Sequence, residues 1–141
     1  MSVTDTIKKL SKFNINNFEL SGGKYSSSLN EDLQELSTKN NLIIHNYFPP
    51  PKNPFVLNLA SLDDEIHELS FNHIKKAIEL ASKIKSPYYS FHAGFLIDPK
   101  VSELGNSVKR RSLFNKDEAL KRFILSVNLL SEFAMKNNVK L

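Results

Sequence analysis

Two histidines, His45 and His92, each stand at the end of a short segment that has the pattern of a β-strand. The segments cover residues 42–45 and 88–92, and alternation places each histidine on the same side as the residue two positions earlier. Parallel strands present their carboxyl ends at one shared edge of a sheet, so we expect the two imidazoles to lie close together. Neutral imidazole binds zinc, manganese or iron, and the pair therefore predicts a metal-dependent active site.

The composition restricts where and how such a site could be built. With 141 residues, 40% hydrophobic and 24% charged, the chain is predicted to form a single globular domain over residues 1–141. It contains no apolar run of the roughly 18 residues that a membrane span needs, and its start lacks a secretory layout, so we expect a cytoplasmic protein. Because there is no cysteine, disulfides and thiolate ligands are excluded and any metal must be held by nitrogen and oxygen.

The charge is distributed unevenly along the chain. Residues 1–70 carry a net charge of −3 and residues 71–141 carry +7. A basic half can indicate a nucleic-acid partner or a phosphorylated substrate. Most of these lysines fall on predicted exposed helix faces, however, and we favour that interpretation.

Helices and strands are predicted to alternate. Helices are expected over residues 4–12 and 30–36, from a capping pattern at 61–64 to about residue 84, and after a cap at Asn115. Strands are expected to end near residues 20, 45 and 91, with a further one beginning at Val139, and long loops cover residues 46–60 and 93–114. This order predicts an α/β fold with a parallel sheet, and polar residues at successive strand ends are typical of a (β/α) barrel.

Apolar periodicity predicts which helix residues face the core. In the third helix the apolar positions are Ile66, Leu69, Ala77, Leu80, Ala81 and Ile84. In the fourth they are Leu120, Phe123, Ile124, Val127, Leu130 and Ala134. His67 and His73, six positions apart, do not share a helix face and are interpreted as ordinary surface residues.

Several other residues are candidate substrate contacts. Glu19 and Ser90 share the predicted inner face of the sheet, although Glu19 could instead be a buried charge paired with Lys24. Aromatic rings in the proline-containing loop could stack on a sugar or pack locally, and the basic run in the later loop could clamp a phosphate or be a solvated turn. These candidates are Tyr47, Phe48 and Phe55 in the first loop, and Lys109, Arg110 and Arg111 in the second.

Three segments together resemble a known superfamily. Residues 43–47 contain His45, residues 57–61 contain Asn58 followed by Leu59, and residues 89–94 contain His92 before Ala93 and Gly94. In this order they resemble the xylose-isomerase-like TIM-barrel superfamily, which includes sugar-phosphate isomerases and epimerases and the endonuclease IV-type apurinic endonucleases. The resemblance covers the N-terminal half of that barrel, so it implies a (β/α)8 TIM barrel present here as an incomplete half-barrel fragment. It also implies that His45 and His92 are metal ligands.

The resemblance implies a divalent-metal-dependent sugar or sugar-phosphate isomerase or epimerase, which moves a proton through an enediolate. The metal would be Zn, Mn or similar, and it would be incompletely liganded here because further ligands and the acid/base carboxylates come from other strands. We therefore expect this chain alone to lack turnover, and leave its own status as an enzyme open. One alternative is an apurinic endonuclease acting on DNA, and another is a non-catalytic half-barrel module for binding or assembly, which leaves the oligomeric state open.

Overall fold

The computed structural model describes residues 2–141, and its elements alternate between helix and strand. The helices are α1 (Val3–Ser11), α2 (Leu29–Leu36), α3 (Asp64–Lys83) and α4 (Lys116–Lys136), and a short 3₁₀ helix covers Val101–Glu103. The strands are β1 (Asn17–Leu20), β2 (Asn41–His45) and β3 (Tyr89–Ser90). The predicted order of elements is therefore confirmed.

The sheet is parallel, with strand order β1-β2-β3. Leu20 is level with Ile44, and Ile44 is level with Tyr89. Beyond β3 a parallel bridge joins Tyr88 to Lys140, and the amide of Tyr89 donates to the carbonyl of Lys140 at 2.9 Å. The predicted strand start at residue 139 thus takes the next position in the sheet.

One face of the sheet is buried by helices and the other is open. Alternation sends Leu20, Ile44 and Tyr89 to the helix side, where they join α3 in the core. The opposite face carries Glu19 and His45, which are exposed and half-buried respectively. This open face is the one on which the sequence places its polar candidates.

Side-chain caps explain where three of the helices begin. Ser2 caps α1 in a reciprocal box with Asp5. Asp63 accepts from the amides of Glu65 and Ile66, and Asn115 accepts from the first turn of α4. Each cap binds amides that would otherwise lack a partner, so the polar residue before an apolar run predicts these starts to within a few positions.

Some expectations about burial are wrong. Leu69, Leu120 and Ile124 are each more than 40% exposed, because the face of α3 or α4 in contact with the core is narrower than the apolar pattern suggests. On α4 the predicted Leu130 and Ala134 are buried, and the other buried positions are Ala119 and Ser126. His73 is also not a surface residue, since it lies buried beneath Tyr47 and Phe55.

Candidate metal and substrate site

The two histidines predicted to meet do so. The ring centroids of His45 and His92 are 5.3 Å apart, with the ring planes inclined at 58°. His45 is the last residue of β2, and His92 follows β3 by two positions. Adjacent parallel strands thus bring both imidazoles to the carboxyl edge of the sheet.

Hydrogen bonds orient this pair. Nδ1 of His45 lies 2.9 Å from the hydroxyl of Ser90, the residue directly opposite it on β3. Ser90 is therefore in contact with a candidate metal ligand, on the inner face where the sequence placed it. Fixing one ring nitrogen in this way sets the direction of the other, as the supporting residues around metal sites do.

Asn46 joins the ends of the two strands. Its backbone amide donates to the carbonyl of Ser90 at 2.6 Å, and its own carbonyl accepts from the hydroxyl of Tyr89 at 2.6 Å. Its side-chain oxygen accepts from the amide of His92 at 3.4 Å. Asn46 adopts a φ of 48°, a left-handed conformation that asparagine tolerates better than most residues. Sequence reasoning missed this residue, and the signal was an asparagine directly after a strand-ending histidine.

The donor atoms fit part of a metal site. Two imidazoles in contact suit zinc or manganese, but a tightly held zinc ion takes at least three protein ligands. No group of three or more His, Asp or Glu residues suited to a metal ion occurs among residues 2–141. Glu19 lies on the same open face, two positions below the level of His45, and it forms no ion pair with Lys24 within the described chain.

The loop after β2 contributes aromatic side chains to the region beside His92. Tyr47 and Phe55 line a cavity of about 270 Å³ together with His92. The Tyr47 hydroxyl accepts from the amide of Phe55 at 2.7 Å, which closes this part of the loop on itself. Phe48, in the same loop, is buried in the hydrophobic core and is 0% exposed. The prediction that Phe48 contacts substrate is therefore wrong for this structure.

The basic run in the later loop is only partly available to a ligand. The guanidinium of Arg111 forms an ion pair with Glu103 and donates to the carbonyl of Asp98 at 2.7 Å. Arg111 therefore stabilises the loop, and its guanidinium is not free to bind a phosphate group. Lys109 and Arg110 are exposed, and their predicted contact with substrate remains a prediction.

The carboxylate of Glu103 connects several residues of that loop. Hydrogen bonds from the amides of Lys100 and Lys109, together with Arg111, lower the pKa of its carboxyl to about 2. These contacts stabilise the charged form of the carboxylate at neutral pH.

Asn58 fixes the chain that leaves His92. Its side-chain oxygen accepts from the amides of Phe95 and Ala60 at 2.9 and 3.1 Å. Its side-chain nitrogen donates to Oδ1 of Asp98 at 2.7 Å, and the other carboxylate oxygen, Oδ2, accepts from the hydroxyl of Ser61 at 2.7 Å. The residue is 0% exposed, so its role is to position the loop and not to contact substrate. In the sequence, this role was indicated by an asparagine that stands between two leucines.

Gly94 is required by this arrangement. It has a φ of 120°, and a Cβ atom there would lie 2.5 Å from the side-chain oxygen of Asn58. Any other residue would be strained and would also displace Asn58. The segment that contains Asn58 and the segment that contains Gly94 are therefore in direct contact in the folded chain.

Comparison with known proteins agrees with this fold. The family model described as xylose isomerase-like TIM barrel matches residues 7–141. Twenty-two solved chains match significantly, whereas no curated protein does.

Three solved structures illustrate the similarity. A D-tagatose 3-epimerase-like protein is 22% identical with a TM-score of 0.71, and the alignment covers 99% of this chain and 47% of that one. The D-psicose 3-epimerase of Clostridium cellulolyticum, solved with D-tagatose, is 16% identical (TM-score 0.62; 96% and 44% covered). A Thermus thermophilus protein soaked with zinc chloride is 20% identical (TM-score 0.58; 97% and 49% covered). The chain spans just under half the length of each, and its fold is that of a half-barrel.

Proposed function

Because this chain belongs to the xylose isomerase-like TIM barrel family, we propose that it is part of a divalent-metal-dependent sugar isomerase or epimerase. The observation that carries the proposal is the contact between His45 and His92, whose rings are 5.3 Å apart at the carboxyl edge of the sheet. In barrels of this kind the carboxyl ends of the strands form the active site. Structural similarity to sugar epimerases supports the same assignment.

In this proposal Ser90 accepts the Nδ1 proton of His45, which leaves the Nε2 lone pair for a cation. His92 supplies the second nitrogen. A divalent cation held there would polarise the carbonyl and hydroxyl oxygens of a bound sugar. Tyr47 lines the same cavity as His92 and would pack against the apolar face of that sugar.

The proton is transferred at a carbon next to a carbonyl, and this requires carboxylates with suitable pKa values. We assign those carboxylates, and the missing metal ligands, to strands outside residues 2–141. For this reason the 141-residue chain is expected to show no turnover alone.

The test is an assay of a complete barrel that carries this chain, with Mn²⁺ and D-tagatose, D-psicose or D-fructose. We expect isomer interconversion measured by chromatography, loss of at least two orders of magnitude in His45→Ala and His92→Ala, and little change in the surface variant Lys85→Ala. An inactive complete barrel, or full activity in both histidine variants, would contradict the proposal. Nicking of an abasic-site duplex by the same preparation would favour the endonuclease alternative, which the +7 charge of residues 71–141 suggests.

A further inference from the structure

A second cavity, separate from the histidine pair, lies between the β1–α2 loop, the loop after β2 and the middle of α3. Its volume is about 490 Å³, and neither His45 nor His92 lines it. The aromatic rings of Tyr47, Phe55 and His73 pack between this cavity and the smaller one beside His92. A ligand in the second cavity would therefore not share the metal site.

The lining of this cavity is positively charged. It includes Lys52 from the proline-containing loop and Lys76 from α3, and no acidic residue is among the described residues that line it. Both lysines are exposed, and neither forms a salt bridge within residues 2–141. An uncompensated pair of cations at a concave surface attracts an anion.

His73 adds an unsatisfied polar atom to the same lining. Its side chain is 6% exposed, and its Nε2 atom is the buried side-chain polar atom without a hydrogen-bond partner among residues 2–141. Leaving such an atom unpaired is unfavourable, and a hydrogen bond to a ligand would remove that cost. Burial and the nearby positive charge of Lys76 lower the pKa of His73 to about 4, so the ring is neutral at pH 7. A bound anion would offset the charge of Lys76.

The remaining surface suits a compact ring. Tyr25, which is 53% exposed, and the three consecutive prolines Pro49, Pro50 and Pro51 line the same cavity. Aromatic and proline rings offer flat, rigid apolar surfaces for stacking. The cavity thus combines an apolar wall with a cationic wall.

We propose that this cavity binds a phosphate monoester that carries a small ring, with the phosphate held by Lys52 and Lys76 and the ring against Tyr25 and the prolines. In the neutral ring, the proton on Nε2 of His73 is donated to a phosphate oxygen, and this hydrogen bond completes the site. This would be a second ligand site in the chain, independent of the proposed metal-dependent reaction.

The test is a titration of the 141-residue chain with phenyl phosphate at constant ionic strength, followed by ¹H–¹⁵N NMR. We expect saturable shifts at Tyr25, Lys52 and Lys76 and in the His73 ring. Inorganic phosphate should bind more weakly because it lacks the ring, and benzoate should bind more weakly because a carboxylate carries one charge. Equal binding of benzoate, or weak shifts spread over lysines throughout the chain, would overturn the proposal.

Variants separate the site from general charge attraction. Lys76→Gln is expected to weaken phenyl phosphate binding about tenfold, the loss of one charge-assisted hydrogen bond. Lys83→Gln, on the same helix but outside the cavity, should have no effect. His73→Phe keeps the ring stack on Tyr47 and removes Nε2, so it should weaken binding as well. If that variant fails to fold, the comparison of Lys76→Gln with Lys83→Gln still tests the site. Unchanged binding in Lys76→Gln would refute the site. Binding should persist in His45→Ala, which distinguishes this inference from the proposed function.

Discussion

At the scale of single residues, the hydrogen bond between Ser90 and His45 supports the orientation of a metal ligand. Ser90→Ala removes the partner of Nδ1 and lets the ring rotate. We expect the affinity for Zn²⁺ to fall by about tenfold, at the low end of the effect of supporting residues. Titration against a chromophoric chelator measures this, with the exposed Ser107→Ala as control. Equal affinities in the two variants would show that Ser90 does not orient the site.

Gly94 offers a second prediction at this scale. Gly94→Ala places a Cβ 2.5 Å from the Asn58 oxygen at a φ of 120°, and we expect a loss of about 1–3 kcal/mol in the free energy of unfolding. Gly22→Ala is the matched control, because nothing lies within 4 Å of that position and its φ is not positive. Urea denaturation of both variants gives the comparison. A Gly94 variant as stable as the Gly22 variant would rule out the contact with Asn58.

Individual residues also show what the sequence could and could not predict. The meeting of His45 and His92 was predictable because strand ends in a parallel sheet converge. The burial of Phe48 and His73 was not, because it depends on how the loop after β2 folds over α3, and no local pattern determines that path. The engagement of Arg111 likewise depends on Glu103, a partner eight positions away within a long loop.

At the scale of elements, α3 and α4 were predictable from their caps, but the depth of their burial was not. On α4 the apolar positions span more of the helix than the core covers, so neighbouring leucines differ in environment. Leu130 is 0% exposed and Leu129 is 57% exposed. Leu130→Ala should cost about 2–5 kcal/mol of unfolding free energy, whereas Leu129→Ala should change it by less than about 0.5 kcal/mol. Similar losses in the two variants would show that α4 does not pack in this orientation.

The loop between β3 and α4 should respond to acid through Glu103. The pKa of this carboxyl is lowered from 4.5 to about 2, so its stabilisation is complete above pH 4.5 and is lost as the pH falls towards 2. The amide resonances of Lys100 and Lys109 should therefore titrate with a midpoint near 2. Glu103→Gln should abolish that titration. A midpoint near 4.5 would mean that the carboxylate is not held by these amides.

At the scale of the whole molecule, the open inner face of the sheet carries the candidate site. The helix side of the sheet has a continuous core, whereas Tyr88 and Ser90 on the other face are exposed. Polar residues on the inside of a barrel are costly to bury unless a site requires them.

Within residues 2–141, none of the helices combines the length and apolarity that crossing a bilayer requires.

We propose that His45 and His92 together bind one cation. The most direct measurement is an Mn²⁺ titration of the 141-residue chain, in which paramagnetic broadening of NMR signals reports distance from the ion. We predict that broadening begins at His45, Ser90 and His92 together and that either His45→Ala or His92→Ala removes it from all three. Broadening that begins elsewhere, or that persists at one histidine when the other is replaced, would contradict the account.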